Sequence, residues 1–389
     1  MNKVERGTDE KESLWKMKNS LKDRRFEWLT RWDEVWDPSF VKWWKELMER
    51  SPDGHVFFEP CMVRAWYETY RNLRRIEPRF LIARLNSECA VFYPLVLDRG
   101  GWKDAWLRVI QPVGRNEFDY QDPIVSGECT KAIGSSFWQD IVDELSRMGG
   151  DFDILEIPRV RQGRTLGFEG FAETGSAPYL ELARFKSFEQ LLMALSRNLR
   201  HDVRRQQRHL SALGILTMDV LGKDGLKSAM EILPRFLSHY RARWEPTCSK
   251  LMPWPSRKDD FYKNLLANVL PSGFLHISVL KCGEKAISWH VGFLYKRRFY
   301  ADTATFDSAF SNYSPGKVHL AKLLEEAFRQ QVEVFDFLAG AESYKLWWTQ
   351  QAIGLYRLSI LRPGFLPWLR DNSRRLLRKA ASLKLRRHN

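Results

Sequence analysis

Residues 299–348 read FYADTATFDSAFSNYSPGKVHLAKLLEEAFRQQVEVFDFLAGAESYKLWW. Phe299–Phe306 is rich in aromatics, Thr and Ala and predicts a strand. Asp307–Gly316 carries Ser, Asn, Asp and Pro and predicts a loop. Val318, Leu320, Leu323, Leu324, Ala327 and Phe328 then recur at helical spacing. Val332–Leu338, apolar apart from Glu333 and Asp336, predicts a short buried strand that Gly340 ends. A strand–loop–helix–strand unit of this kind favours a crossover and parallel pairing.

The chemistry lies at the loop–helix junction. Ser314 is placed as an N-cap, Pro315 suits the first turn, and Gly316 lets a ligand approach the backbone. Unpaired N–H groups at a helix start favour an anion, by roughly 0.3–1 kcal/mol for an exposed charge. Lys317 adds a positive charge. A phosphate or pyrophosphate is the natural guest, and an ordinary helix cap is the competing explanation.

The order Tyr300, Phe306-Asp307, Tyr313-Ser314-Pro315-Gly316, Phe335-Asp336-Phe337, Gly340, Glu342, Tyr344-Lys345 and Trp348 resembles the CelD-like branch of the GNAT acyltransferases. This branch was first associated with cellulose and exopolysaccharide biosynthesis, and it is distantly related to the FemAB peptidyltransferases. The resemblance implies an acyl-CoA-binding α/β (α+β) fold of two tandem GNAT-like halves, each a mixed central sheet flanked by helices. It further implies that the Ser-Pro-Gly segment is the pyrophosphate loop, with Tyr313, Ser314, Gly316, Lys317 and Val318 as cofactor-binding candidates. The co-substrate would be acetyl-CoA or another acyl-CoA, with no metal.

In such chemistry an amine, or less often a hydroxyl, attacks the thioester directly. A base takes the proton, a donor holds the carbonyl oxygen, and an acid protects the leaving thiolate. Asp302, Asp307, Asp336, Glu342 and His290 are candidate bases. His290 lies in a strand pattern, where a core histidine is the commoner case. Asp336 sits between Phe335 and Phe337 and so points away from their face. Glu342 follows in a loop. Tyr344 is the candidate thiolate acid, and Lys345 a candidate for steadying a phosphate or the acyl carbonyl. Catalysis is therefore expected from Asp336, Glu342, Tyr344 and Lys345, and structural carboxylate–lysine pairs are the alternative for the same residues.

An internal repeat supports two halves. Arg79–Asp98 reads as two strands joined at Asn86-Ser87-Glu88, and Phe274–Tyr295 repeats that plan with a turn at Lys281–Lys285. Each is preceded by a helical pattern. Residues 1–28 are dense in charge and predict a disordered lead, and order is expected from about Phe57. The halves are then 29–185 and 186–361, the second carrying the acyl-CoA motif, and 362–389 is a tail. In the first half, Gly114, Asp119, Tyr120, Asp122 and Pro123 match a further segment of the family. Its acids suit a cationic or hydroxyl-rich substrate, or an Asx-rich turn. Trp138–Met148 predicts a helix, Phe152–Ile157 a strand, and Gly163–Pro178 a loop.

Ser187–Leu213 predicts one helix with Leu192, Leu195, Leu199 and Val203 as its apolar stripe. Arg197, Arg200, Arg204, Arg205 and Arg208 crowd the other faces. Such a face suits phosphates, an acidic membrane or plain solvent. Without interleaved aromatics it does not favour a single-strand platform, so no specific nucleic-acid binding is expected. Leu226–Trp244, with Pro234 inside, and Asp259–Val269 predict helices, and the Trp244–Arg257 stretch a lid or a rigid connection.

The 389 residues carry 62 Lys and Arg against 48 Asp and Glu, a net charge of +14, and the 44% hydrophobic content is that of a globular chain. Nine Lys/Arg against the single acid Asp371 put +8 of this charge in the tail. Leu369, Leu376, Leu377, Ala380 and Leu383 form a stripe there, so an anionic membrane surface is one expected partner and a docked helix the alternative. The scattered Cys61, Cys89, Cys129, Cys248 and Cys282 show no metal or disulfide spacing and fit reduced thiols in the cytoplasm. There is no signal-peptide core, and no run approaches the roughly 18–20 apolar residues of a membrane span. The expected activity is acyl-CoA-dependent N- or O-acyl transfer, acetyl transfer first, in polysaccharide or cell-envelope biosynthesis, at the cytoplasmic side or the inner membrane face. A FemAB-like aminoacyl transferase using charged tRNA, and a non-catalytic basic membrane-surface adaptor, are the alternatives.

Overall fold

Alternating apolar residues bounded by turn signals make the long strands, and 3.6-residue stripes make the helices that cover them. The computed structural model describes residues 25–73, 75–84, 90–99, 107–115, 117–129, 136–147, 152–244, 257–364, 367–369 and 372. In chain order they form β1 (Arg25–Leu29), α1 (Trp32–Val35), α2 (Pro38–Arg50), α3 (Pro60–Tyr70), β2 (Arg75–Arg84), β3 (Ala90–Arg99), β4 (Arg108–Pro112), β5 (Ile124–Val125), α4 (Phe137–Arg147), β6 (Ile154–Arg161) and β7 (Phe171–Glu181). There follow α5 (Phe188–Ala194), α6 (Arg197–Ser211), β8 (Leu216–Leu221), α7 (Leu226–Trp244), α8 (Lys258–Val269), β9 (Leu275–Cys282), β10 (Lys285–Tyr295), β11 (Arg298–Phe306), α9 (Pro315–Arg329), β12 (Val334–Asp336), α10 (Ser343–Leu346) and β13 (Ala352–Leu361).

The chain divides into two compact units, one of Met1–Pro60, Tyr70–Thr174 and Tyr356–Asn389, the other of Cys61–Thr69 and Gly175–Leu355. The sequence predicted contiguous halves at 29–185 and 186–361; both units are instead discontinuous in sequence.

In the first unit the strand order is β1-β2-β3-β4-β6. The first three pairings are antiparallel and β4/β6 is parallel. All of β3 except Arg99 is buried. Helix α2 starts where Asp37 accepts the Ser39 and Phe40 N–H groups, with Pro38 at the first position. It drives Trp44 against Phe92 and Phe80, with ring centroids 4.9 and 5.7 Å away. The indole N–H is satisfied by the Phe58 carbonyl at 2.9 Å, so this large side chain is buried with its polar atom paired. The Asp-Tyr-Gln-Asp-Pro turn is internal. Asp122 is fully buried and takes two bonds from Arg161, at 2.9 and 2.8 Å, while Asp119 takes one from Arg159 at 2.7 Å. These acids are therefore occupied by arginines of β6, as an ordering turn requires.

The second unit repeats the plan. Its order is β8-β9-β10-β11-β12, again three antiparallel pairings and then a parallel one, followed by the antiparallel β7. A helix makes the crossover before each parallel strand, α4 in one unit and α9 in the other. The tandem GNAT-like α/β architecture expected from the two hairpins is thus present in the strand order itself. Phe299 of β11 and Phe335 of β12 stack at 4.8 Å and anchor the core under α9.

Several local expectations change. Residues 25–28, placed in the lead, belong to β1, and α2 is well formed before Phe57. The Gly-rich loop is shorter than expected, because β7 begins at Phe171. The single helix over 187–213 is two. Ser187 caps α5 through the Gln190 N–H and Ser196 caps α6 through the Leu199 N–H, so a second helix start interrupts the stripe. Cys129 is disulfide-bonded, against the expectation of reduced thiols, whereas Cys282 remains a buried thiol directed at the Leu210 carbonyl. Most of the 362–389 tail, the 1–24 lead and the Trp244–Arg257 stretch lie outside the described residues.

Strand β10 shifts register against β11 between Val291 and Phe293. A Cβ on Gly292 would lie 2.4 Å from the Tyr300 carbonyl oxygen and 2.7 Å from His290 Cε1. The first of these is backbone and cannot swing away. Gly292→Ala is expected to cost about 1–3 kcal/mol of stability by overpacking, measured by urea unfolding.

Candidate active site around the start of α9

Helix α9 starts immediately after a 3-10 turn at residues 308–313, which Asp307 caps through the Ala309 N–H. Ser314 stands at the N-cap position, but in the left-handed region (φ 47°, ψ 53°) and with no side-chain capping bond. Its carbonyl does the capping, accepting the N–H groups of Lys317 at 3.0 Å and Val318 at 3.3 Å. Pro315 has no N–H. Among the described residues the Gly316 N–H is thus left without an acceptor at the positive end of a 15-residue helix. A Cβ on Gly316 would make only ordinary contact with Phe306, 3.5 Å away. Packing at this position therefore does not by itself require a glycine.

The other expected cofactor contacts divide. The Lys317 ammonium is already engaged, paired with Asp202 of α6 and lying 4.6 Å over the Trp347 ring. It reinforces the site's shape more than it offers an unneutralised charge. Val318 is buried in a cluster with Leu280 and Ile287, and Tyr313 packs on the same cluster. The Val318 side chain is thus core.

The catalytic candidates also separate. Asp336 is fully buried, bonded to Arg298 at 3.0 Å and to the Leu338 N–H at 2.9 Å. It steadies the turn out of β12. Lys345 folds back on the same turn, donating to the carbonyls of Ala339 and Gly340 at 3.0 and 3.2 Å and pairing with Glu342 at 2.8 Å. Glu342 keeps about half its side chain in solvent. Tyr344 is 41% exposed, and its phenol is pushed up to about 12, first by desolvation and then by the Glu342 carboxylate, with Arg243 pulling the other way. The phenol is protonated at neutral pH.

The structure therefore brings the start of α9 beside α10, with Trp347 on Lys317 and Tyr344 near Glu342 and Arg243. Arg243 also lies over Phe306, 5.2 Å from its centroid. Sequence reasoning missed Asp202, Arg243, Phe306 and Trp347 as neighbours. Asp202 did leave a signal, as the lone acid within RNLRHDVRRQQR.

Three buried histidines meet here, His319 on α9 itself, His276 on β9 and His290 on β10. His319 is bonded on both ring nitrogens, to Ser288 at 2.9 Å and Ser278 at 3.0 Å. Among the described residues His276 and His290 have no hydrogen-bond partner on either nitrogen. Burial drives His319 down to about 3 and His276 to about 4, and holds His290 well below the usual value. His290 is accordingly a neutral core group and not a base at neutral pH. No group of three or more His, Cys, Asp or Glu among the described residues is placed to hold a metal ion, and no described helix is long and apolar enough to cross a membrane.

Residues 197–346 match the family described as the acetyltransferase (GNAT) domain. No curated protein matches the sequence. Among solved structures, FemX is similar with a TM-score of 0.56 at 9% identity, over 82% of this chain and 96% of its own. The C-terminal domain of a putative lysylphosphatidylglycerol synthetase from Agrobacterium fabrum is similar with a TM-score of 0.51 at 11% identity, over 82% of this chain and 90% of its own. At these identities the likeness is one of fold. Residues 197–346 are thus a GNAT-type acetyltransferase domain. Acyl transfer is its general class of activity, and a domain of this type in general uses an acyl-CoA co-substrate. The CelD-like branch is not distinguished by these matches.

The buried histidines set an acid limit. Each has a folded-state pKa below its unfolded value near 6.5, so the unfolded chain binds more protons as pH falls. Stability is expected to be full above about pH 6.5 and to fall progressively toward about 4. Urea midpoints at pH 7 and pH 5 check this, and His276→Phe is expected to lessen the difference.

Proposed function

We propose that the second unit is an acyl-CoA-dependent N- or O-acyltransferase whose co-substrate pyrophosphate meets the start of α9. The observation that carries this is the Gly316 N–H, without an acceptor among the described residues, at the first turn of a 15-residue helix. The Gly316 N–H and the helix dipole suit a pyrophosphate oxygen. Lys317, held by Asp202 and Trp347, fixes the loop.

In the transfer step the acceptor amine or hydroxyl attacks the thioester carbonyl and the carbon–sulfur bond breaks. Tyr344 gives its proton to the leaving thiolate. Glu342, half exposed beside it, is the carboxylate placed to take the acceptor's proton. Lys345 holds Glu342 and the turn in position. Acetyl is the first acyl group to test. The CelD-like resemblance supports an acceptor in polysaccharide or envelope synthesis, met at the cytoplasmic side. Transfer from a charged tRNA is a second reading, supported by the likeness of fold to FemX.

Calorimetry with CoA on folded variants tests the binding half. Gly316→Glu is expected to abolish measurable binding, by bulk against the backbone and by repulsion, whereas Gly316→Ala retains it. Unchanged affinity in Gly316→Glu would place the co-substrate elsewhere. Tyr344→Phe is expected to lower kcat about 100-fold or more while leaving CoA affinity unchanged. A normal kcat in that variant would remove the phenol from the mechanism.

A further inference from the structure

The Lys317 ammonium has two partners from other elements. Asp202 of α6 forms an ion pair with it, and the Trp347 ring after α10 lies 4.6 Å away. Lys317 is the third residue of α9. Long side chains on a helix lean toward its N-terminus, where the helix dipole also favours an anion. Asp202 thus brings a negative charge to the end of α9 that suits a phosphate.

Asp202 has a second cation. Arg205, one turn along α6, donates to the same carboxylate at 2.6 Å. Burial would raise the Asp202 carboxyl, yet Lys317 and Arg205 hold it below its ordinary value, so it is ionised at neutral pH. If Lys317 withdraws, Asp202 keeps Arg205, and a quarter of its side chain is in solvent. No buried charge is then left unpaired. The lysine can exchange partners as well, because its charge is a compact point on a flexible four-carbon stem. A pyrophosphate carries more negative charge than a carboxylate. It also finds the Gly316 N–H, a donor that Asp202 does not use.

We propose that Asp202 competes with the co-substrate for Lys317 and so sets the affinity of the site. This rests on the reading that the pyrophosphate meets the start of α9, and it adds that Lys317 changes partner on binding. The competing role and a purely structural one have opposite signs. Removing a carboxylate that only shapes the loop weakens binding, whereas removing a competitor strengthens it.

Titration of the full-length protein with CoA by calorimetry decides between them. Asp202→Asn keeps the size of the side chain and is expected to raise CoA affinity about tenfold. Its affinity is also expected to fall more steeply with added salt than the parent's, because the ammonium is no longer neutralised beforehand. Asp202→Ser, which also lacks the charge, is expected to show the same gain, and Asp202→Glu to return toward the parent. In a Lys317→Ala background, Asp202→Asn is expected to bring no gain. Equal or weaker CoA binding by the uncharged variants at the parent's melting temperature overturns the proposal, and so does a gain that persists without Lys317. Loss of CoA binding in Gly316→Glu together with unchanged binding in Asp202→Asn removes this proposal alone. No CoA binding by the parent, or unchanged binding in Gly316→Glu, removes it along with the reading it rests on.

Discussion

Parallel neighbours in a sheet cannot be joined by a tight turn, and the pair β11 and β12 makes that constraint local. The chain must leave the end of β11, cross the sheet as α9, and return. The start of α9 is therefore delivered to the end of the sheet, as ligand sites in open α/β sheets are. Phe299 stacked on Phe335 fixes the strands beneath it. Leu323, Leu324 and Ala327 fix the helix above. What remains adjustable is the short segment between strand and helix, and there the backbone takes an unusual path. Ser314 enters the left-handed region, which a non-glycine residue adopts at some cost. Its carbonyl satisfies the N–H groups of Lys317 and Val318, and among the described residues the Gly316 N–H before them has no acceptor.

The charges around the site follow from the same economy of buried groups. Lys317 is partly buried and would be costly there without a partner, and Asp202 reaches it from α6. Asp336, fully buried, is compensated by Arg298 and a backbone N–H. Lys345, also buried, is compensated by two carbonyls and Glu342. Three charged residues of the candidate site, Lys317 expected to bind the co-substrate and Asp336 and Lys345 expected to be catalytic, are thus paired within the protein. Tyr344 differs, because a phenol needs no counter-charge to remain neutral. Desolvation that would be costly for a carboxylate only strengthens its hold on a proton.

The duplication gives the fold a second copy of this crossover, through α4 between β4 and β6. The acids of the first unit are committed to arginines, Asp122 to Arg161 and Asp119 to Arg159. Burial is the largest influence on Asp122 and would raise its pKa, yet Arg161 leads a set of opposing contributions that bring it to about 2. Its ion pair is consequently kept until strongly acid pH, and its part in stability is lost only as pH falls from its ordinary value near 3.8 toward that point.

The strand–helix–strand unit, the paired hairpins and the helix start at Pro315 were legible in the sequence because each rests on local rules. Period-two and period-3.6 apolar patterns, a proline in the first turn and a glycine after a strand act within a few residues. The break at Ser196 and the early start of β7 were less legible, since a cap inside a continuous apolar stripe competes with the stripe itself. The tertiary structure alone decided which chemically capable residues meet. Tyr344 and Trp347 stand some thirty positions from Gly316 and Lys317, and Asp202 over a hundred, yet they surround one helix start. No periodicity encodes that meeting, because it depends on how far a crossover carries the chain and on which face each helix buries. Burial likewise decided the surroundings of Asp336 and Lys345: the sequence lists a carboxylate and an ammonium, but only packing shows that neither was left in water.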